Sequence, residues 1–108
     1  MIRNENLEKA EQLSGKAVRA NPENATYLDT YAWVLFMRKD YSLAKFYMET
    51  AMKNGGEKSG VIIEHYGDIL FMLGETTKAV EQWKKALENG DFSEFLTEKI
   101  KQQRYIDK

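Results

Sequence analysis

The residues best suited to chemistry are Glu64, His65 and Asp68, a histidine with one carboxylate beside it and another nearby. Imidazole and carboxylate groups bind divalent metals, but a protein site needs three or four ligands in one place. His65 is the only histidine of the chain, and there is no cysteine. Because no second histidine or cysteine lies nearby in sequence, we expect no metal or catalytic role and interpret His65 as a half-exposed surface residue.

Other catalytic motifs are missing from the sequence. Gly55, Gly56 and Gly60 are not followed by the Lys-Ser/Thr pair that a phosphate-binding loop requires. The serines fall at expected helix starts or on outer faces, so none forms a plausible Ser-His-Asp set with His65. We therefore predict no enzymatic activity and no cofactor.

Length and charge limit the class of partner. The chain has 108 residues, enough for one domain, with 16 basic and 17 acidic residues and a net charge of −1. A basic run near the end is offset by two acids and is typical of a solvated face: Lys99, Lys101, Arg104 and Lys108 with Glu98 and Asp107. No apolar run approaches the roughly 18 residues of a membrane span. We expect neither nucleic acid nor a membrane as the partner.

The elements that position these residues are revealed by an internal repeat. "YAWVLFM" begins at Tyr31, and "YGDILFM" begins 35 residues later at Tyr66. At this offset eight positions of the first unit are identical in the second: Tyr31, Leu35, Phe36, Met37, Ala44, Ala51, Asn54 and Gly55. A period of about 20–50 residues indicates stacked units that bury their apolar faces only against one another.

Each unit is predicted to form two helices. In the first unit, Leu28, Tyr31 and Leu35 recur at helical spacing, and Asn24 and Asp40 are candidate N-caps of its two helices. The second unit repeats this plan, with a glycine closing each helix. Small residues recur where two helices would cross, at Ala44, Ala51, Gly67, Ala79 and Ala86.

These residues resemble the tetratricopeptide repeat, or TPR, whose pattern reads W-x2-L-G-x2-Y and then A-x3-F, A and P. The first unit supplies Leu28, Tyr31, Ala32, Leu35, Tyr41, Ala44, Met48 and Ala51. The second supplies Ile63, Tyr66, Gly67, Leu70, Gly74, Ala79, Trp83 and Ala86. The resemblance implies an all-α fold, a right-handed α-solenoid of antiparallel helix hairpins. It comprises two full repeats, a leading half repeat and a C-terminal capping helix.

The resemblance divides the chain into segments 4–21, 25–56, 60–90 and 91–106. In the first segment, Leu7, Ala10, Ser14, Ala17 and Pro22 match the second helix of a preceding repeat whose first helix is missing. We expect the chain to be the C-terminal part of a longer array. The alternative is self-association through Leu7, Ala10 and Leu13.

The last segment is interpreted as a capping helix, opened by a capping box of Asp91 and Glu94. Its apolar stripe is predicted at Phe92, Phe95, Leu96 and Ile100. Its polar side is predicted at Lys99, Lys101, Gln102 and Arg104.

In this family the first helix of each repeat lines a concave groove that holds partner peptides. The resemblance maps the groove positions onto Thr26, Asp29, Trp33, Met37, Val61, Glu64, Asp68 and Met72. Phe36 and Phe71 occupy groove positions too, but we interpret them as packing between repeats. Trp33 is either a binding hot spot or a cover for the neighbouring first helix.

The predicted function is a protein-interaction module that binds a peptide or partner segment in this groove. Asp29, Glu64 and Asp68 make the groove acidic and replace the basic clamp by which some TPR proteins grip a C-terminal carboxylate. The acidic groove suits a basic partner segment with an apolar anchor. The alternative function is structural, as the end cap of a longer scaffold or as a self-associating unit.

Overall fold

The computed structural model describes residues 4–90 and 92–106, with side chains from residue 6 onwards. All regular structure in this part of the chain is helical. The α-helices are α1 (Asn4–Ala20), α2 (Ala25–Met37), α3 (Tyr41–Lys53), α4 (Gly60–Met72), α5 (Thr76–Asn89) and α6 (Leu96–Gln102). A 3-10 turn at Gly56–Lys58 separates α3 from α4. Within the described residues, no helix is long and apolar enough to cross a membrane.

Short polar residues set the helix starts. The side chains of Asn24, Asp40 and Ser59 accept hydrogen bonds from backbone N–H groups in the first turns of α2, α3 and α4. Glycine follows the ends of α4 and α5, where Gly74 and Gly90 adopt the left-handed conformation with φ of 84° and 90°. The predicted caps at Asn24 and Asp40 are confirmed.

Small residues let the two helices of each hairpin approach closely. Helix α2 packs on α3, and α4 packs on α5. Ala44 and Ala79 are fully buried at these contacts. A Cβ on Gly67 would stand 2.5 Å from the Trp83 ring and 3.1 Å from the Ala79 carbonyl oxygen. Only glycine allows α4 to lie this close to α5.

The core consists of two clusters joined along the stack. One is formed mainly by α1, α2 and α3 and contains Val18, Leu28, Leu35 and Met48. The other, formed by α4, α5 and α6, contains Ile63, Leu70, Trp83 and Leu96. The stack therefore buries its apolar faces between helices of successive units, as a repeat protein must.

The predicted self-association surface on α1 is smaller than expected. Leu7 is buried beside the end of α2, near Met37 and Arg38. Ala10 is half-buried, and Leu13 is 58% exposed. Because α1 turns Leu7 towards α2, the expectation that Leu7 is open to a second copy is wrong, and Leu13 is the member of the set that faces solvent.

The capping helix is shorter than the predicted span of residues 91–106. Asp91, half of the expected capping box, lies outside the described residues. Residues 92–95 precede α6, with a turn at residues 94–95, and Gln103 ends the helix with φ of 54°. Leu96 is buried and Ile100 packs against the α4–α5 core, whereas Phe92 is partly exposed. The cap thus rests on α4 and α5 through one turn of apolar residues.

Candidate partner-binding groove

A cavity of about 320 Å³ lies between α2, α4 and the C-terminal segment. It is lined by Trp33, Val61, Glu64, His65, Asp68, Phe92, Ser93, Phe95, Lys99, Tyr105 and Ile106. The first helices of the two repeats supply one wall, and the segment from Phe92 to Ile106 supplies the other. We call this the groove cavity.

Trp33 forms the centre of an aromatic stack that joins α2 to α4. Its ring centroid lies 4.5 Å from that of Phe36 and 4.0 Å from that of His65, with interplanar angles of 7° and 19°. Two parallel rings at these distances must cover opposite faces of the indole. Trp33 therefore covers the neighbouring first helix, and it presents its edge to the groove cavity.

Asp29 holds the histidine of this stack in place. One carboxylate oxygen of Asp29 lies 2.8 Å from Nδ1 of His65. Both side chains are partly exposed. This contact orients the imidazole ring across the indole and links the two repeats with a polar bond at the rim of the cavity.

A buried cluster of three charges forms the base of the groove cavity. Lys99 Nζ donates to Glu64 at 2.6 Å and to the two oxygens of Asp68 at 2.9 and 3.1 Å. The three residues are only 3%, 2% and 1% exposed, respectively. Each charge in this low-dielectric setting has a partner, as burial of ions requires. We call Glu64, Asp68 and Lys99 the ion triad.

Neutral donors complete the hydrogen bonding of the ion triad. The backbone N–H of Ser93 donates to Glu64 at 2.7 Å, and the Ser93 hydroxyl donates to the same carboxylate. The Trp83 indole N–H donates to Asp68 at 3.0 Å. The two bonds from Ser93 also tie the segment before α6 to α4, and this helix begins at Leu96 rather than at the predicted residue 91.

The pKa values of the two carboxylates of the ion triad are shifted in opposite directions. Burial raises the pKa of Asp68 to about 6, although Lys99 acts to lower it. Burial also acts to raise the pKa of Glu64, but hydrogen bonds from Lys99 and Ser93 outweigh this effect and hold that pKa below its usual value.

The sequence interpretation of this acidic surface therefore needs correction. Glu64 and Asp68 were expected to line an open groove, and Lys99 was expected on the polar side of the cap. All three are buried, because the cap brings the ammonium group between the two carboxylates. In this structure Asp29 is the member of the predicted acidic face that solvent reaches.

The other predicted groove residues lie in separate places. Val61 borders the groove cavity and is exposed. Met37 and Met72 border a neighbouring depression of about 350 Å³ together with Phe36 and Tyr105, and Thr26 lies on the surface at the start of α2. Phe36 is buried in the core, as is consistent with packing between repeats, and Phe71 lies against the Trp83 ring with centroids 6.0 Å apart.

The far wall was not identified from sequence. Tyr105 follows α6 and lies with its ring 5.3 Å from that of Phe36 and 5.2 Å from Lys99 Nζ.

The sequence contains one signal for the place of Lys99 in the groove, because Asp29, Glu64 and Lys99 are spaced by 35 residues. Lys99 thus occupies in the cap the position that the two acids occupy in the repeats.

Within the described residues, the groove has no group of side chains that favours a metal. Among residues 4–90 and 92–106, no three histidine, cysteine, aspartate or glutamate side chains converge on one point. The carboxylates of Glu64 and Asp68 are already neutralised in part by Lys99.

Comparison with known proteins identifies the fold. No protein-family model matches the chain, and no curated protein sequence matches it. A solved structure described as the first TPR of Spaghetti (RPAP3) bound to HSP90 peptide SRMEEVD superposes with a TM-score of 0.82. The match covers 90% of this chain and 76% of that one, at 18% sequence identity. The chain therefore has the tetratricopeptide-repeat fold, an all-α solenoid of helix hairpins, as its sequence pattern predicts.

Proposed function

We propose that the chain is a protein-interaction module that binds a segment of a partner protein along the groove between α2, α4 and the C-terminal segment. The observation that carries this proposal is the groove cavity, a concave site walled by aromatic and aliphatic side chains beside a few polar groups. The similar RPAP3 domain was solved with a peptide bound, which supports a peptide ligand for this fold. No catalytic role is proposed.

The contact residues are the accessible members of the predicted set. Val61 and the edge of Trp33 border the groove cavity, and Asp29 contacts His65, which also borders it. Thr26, Met37 and Met72 extend the surface along α2 and α4. Glu64 and Asp68 act indirectly, because through Lys99 they hold the wall against which the partner packs.

The experiment is an affinity capture from lysate with wild type and with Val61→Lys. Val61 is 37% exposed at the start of α4, so a lysine there changes the groove surface without entering the core. The matched control is Leu43→Lys, since Leu43 is 39% exposed at the start of α3 and does not border the cavity. Circular dichroism and thermal melts establish that both variants are folded.

Partners retained by wild type and Leu43→Lys but lost from Val61→Lys support binding in the groove. Those candidates are then measured with purified protein by isothermal titration. Identical capture by all three proteins contradicts the proposal.

A second candidate function, self-association through α1, is favoured by one observation. Leu13 is 58% exposed although its helix, α1, packs against α2. Sedimentation of wild type against Leu13→Asp tests it. A wild-type dimer that becomes monomeric in the variant supports this candidate, and a monomeric wild type across the micromolar range excludes it.

A further inference from the structure

We propose that the groove cavity takes one bulky apolar side chain of the partner segment and that Asp29 pairs with a lysine or arginine next to it. The inference rests on the proposed function and specifies the chemistry of the ligand. It concerns a partner whose binding segment is apolar and basic.

The shape and lining of the groove cavity favour an apolar anchor. Its volume of about 320 Å³ is at the small end of the range of roughly 300–1,000 Å³ typical of ligand pockets. Val61, Phe92, Phe95 and Ile106 bring hydrophobic surface to it. A large side chain that enters removes this surface from water, whereas a short polar one leaves it hydrated.

The charges around the cavity favour a cation beside that anchor. Two carboxylates, those of Glu64 and Asp68, share one ammonium group, that of Lys99, and a third carboxylate, that of Asp29, contacts His65 in the wall of the cavity. The ion triad therefore has one negative charge in excess, and Asp29 adds a further carboxylate beside it. Charges act more strongly at a partly dehydrated surface than in bulk water. His65 contacts one of the two oxygens of Asp29, so the carboxylate has a further acceptor to offer a partner.

The same cluster disfavours an acidic ligand. Lys99 is the lysine that borders the groove cavity, and its side chain is 4% exposed because Glu64 and Asp68 enclose it. A ligand carboxylate would have to displace one of these acids from the ammonium group. Among the described residues that line the cavity, no lysine or arginine is accessible to an incoming anion, whereas the Asp29 carboxylate is partly exposed to a cation.

Selection from a displayed library of random 12-residue peptides tests the inference, with wild-type protein as bait and Val61→Lys as the counter-selecting bait. The enriched sequences are synthesised and their dissociation constants measured by fluorescence polarisation. We expect an aromatic or large aliphatic residue next to Lys or Arg. Replacing the anchor by Ala should weaken binding more than tenfold, and replacing the cation by Glu should weaken it at least fivefold.

Asp29→Asn isolates the charge, because the amide oxygen can still accept a hydrogen bond from His65. This variant should lose most of the preference for Lys over Glu and keep the preference for a bulky anchor. Thr30→Asn, a neighbouring change on the exposed face of α2, is the control. The peptide SRMEEVD is measured as an acidic probe and should bind at least tenfold more weakly than the basic peptides.

The outcomes separate the inference from the proposed function. Selected peptides that need Val61 but are acidic, or that tolerate Ala at the anchor, overturn the inference and leave groove binding intact. An unchanged Lys-over-Glu preference in Asp29→Asn overturns the role of Asp29. If no peptide distinguishes wild type from Val61→Lys, both the inference and groove binding by short segments fail.

Discussion

Replacing Lys99 by methionine should destabilise the fold far more than its place in a basic C-terminal run suggests. The substitution keeps a long unbranched side chain, one heavy atom shorter than lysine, and removes the one positive charge of the ion triad. Glu64 and Asp68, 2% and 1% exposed, would then face each other without a cation. Breaking a buried ion pair by removing one partner costs about 3–5 kcal/mol, a large share of the roughly 5–15 kcal/mol that stabilises an ordinary domain.

Urea denaturation followed by circular dichroism measures this free energy of unfolding. Lys101→Met, at an exposed position of the same helix, is the matched control and should change it by less than about 0.5 kcal/mol. A third protein that combines Lys99→Met with Glu64→Gln and Asp68→Asn removes all three charges and should recover much of the loss. The reasoning is refuted if Lys99→Met costs no more than Lys101→Met, or if the triple variant is no more stable than Lys99→Met alone.

Three further predictions concern residues of α4. Gly67→Ala should lower the free energy of unfolding by about 1–3 kcal/mol by overpacking against Trp83. Gly15→Ala, whose Cβ would meet only ordinary contacts, is the control and should not lower it. Urea denaturation of both variants measures the difference. Because the pKa of Asp68 is about 6 when folded, its contribution to stability is greatest at low pH and is lost as pH rises. Between pH 4.5 and 7, the free energy of unfolding of wild type should fall by about 2 kcal/mol relative to that of Asp68→Asn. Urea denaturation at both pH values measures this, and a difference between the two proteins that stays constant with pH would contradict it. Tyr66→Phe removes a 2.7 Å hydrogen bond to a carboxylate of α3 and should cost about 1 kcal/mol, which thermal unfolding measures.

The solenoid could be predicted because its determinants are local or periodic. The offset of 35 residues aligns the core positions of the two repeats, and Asn24 and Asp40 mark helix starts through bonds to residues three positions away. Such signals depend on neighbours in sequence or on the period itself. They fix which residues face the core before any tertiary contact is known.

The candidate site could be predicted only in part, because its central contact joins distant segments. Glu64 and Asp68 were assigned to the correct helix, but their burial depends on a lysine more than 30 residues away. In the sequence, Lys99 lies among other basic residues that do face solvent. Likewise, the choice between the two interpretations of Trp33 depends on His65, which stacks on it from the next repeat.

The ion triad has a consequence for how this sequence can diverge. Because loss of Lys99 alone leaves two buried anions unpaired, whereas loss of all three charges restores neutrality, the three positions are not free to vary independently. In homologous chains that carry an apolar residue in place of Lys99, we expect neutral residues in place of both Glu64 and Asp68. Covariation of these three positions would indicate that the last helix and the groove evolve together.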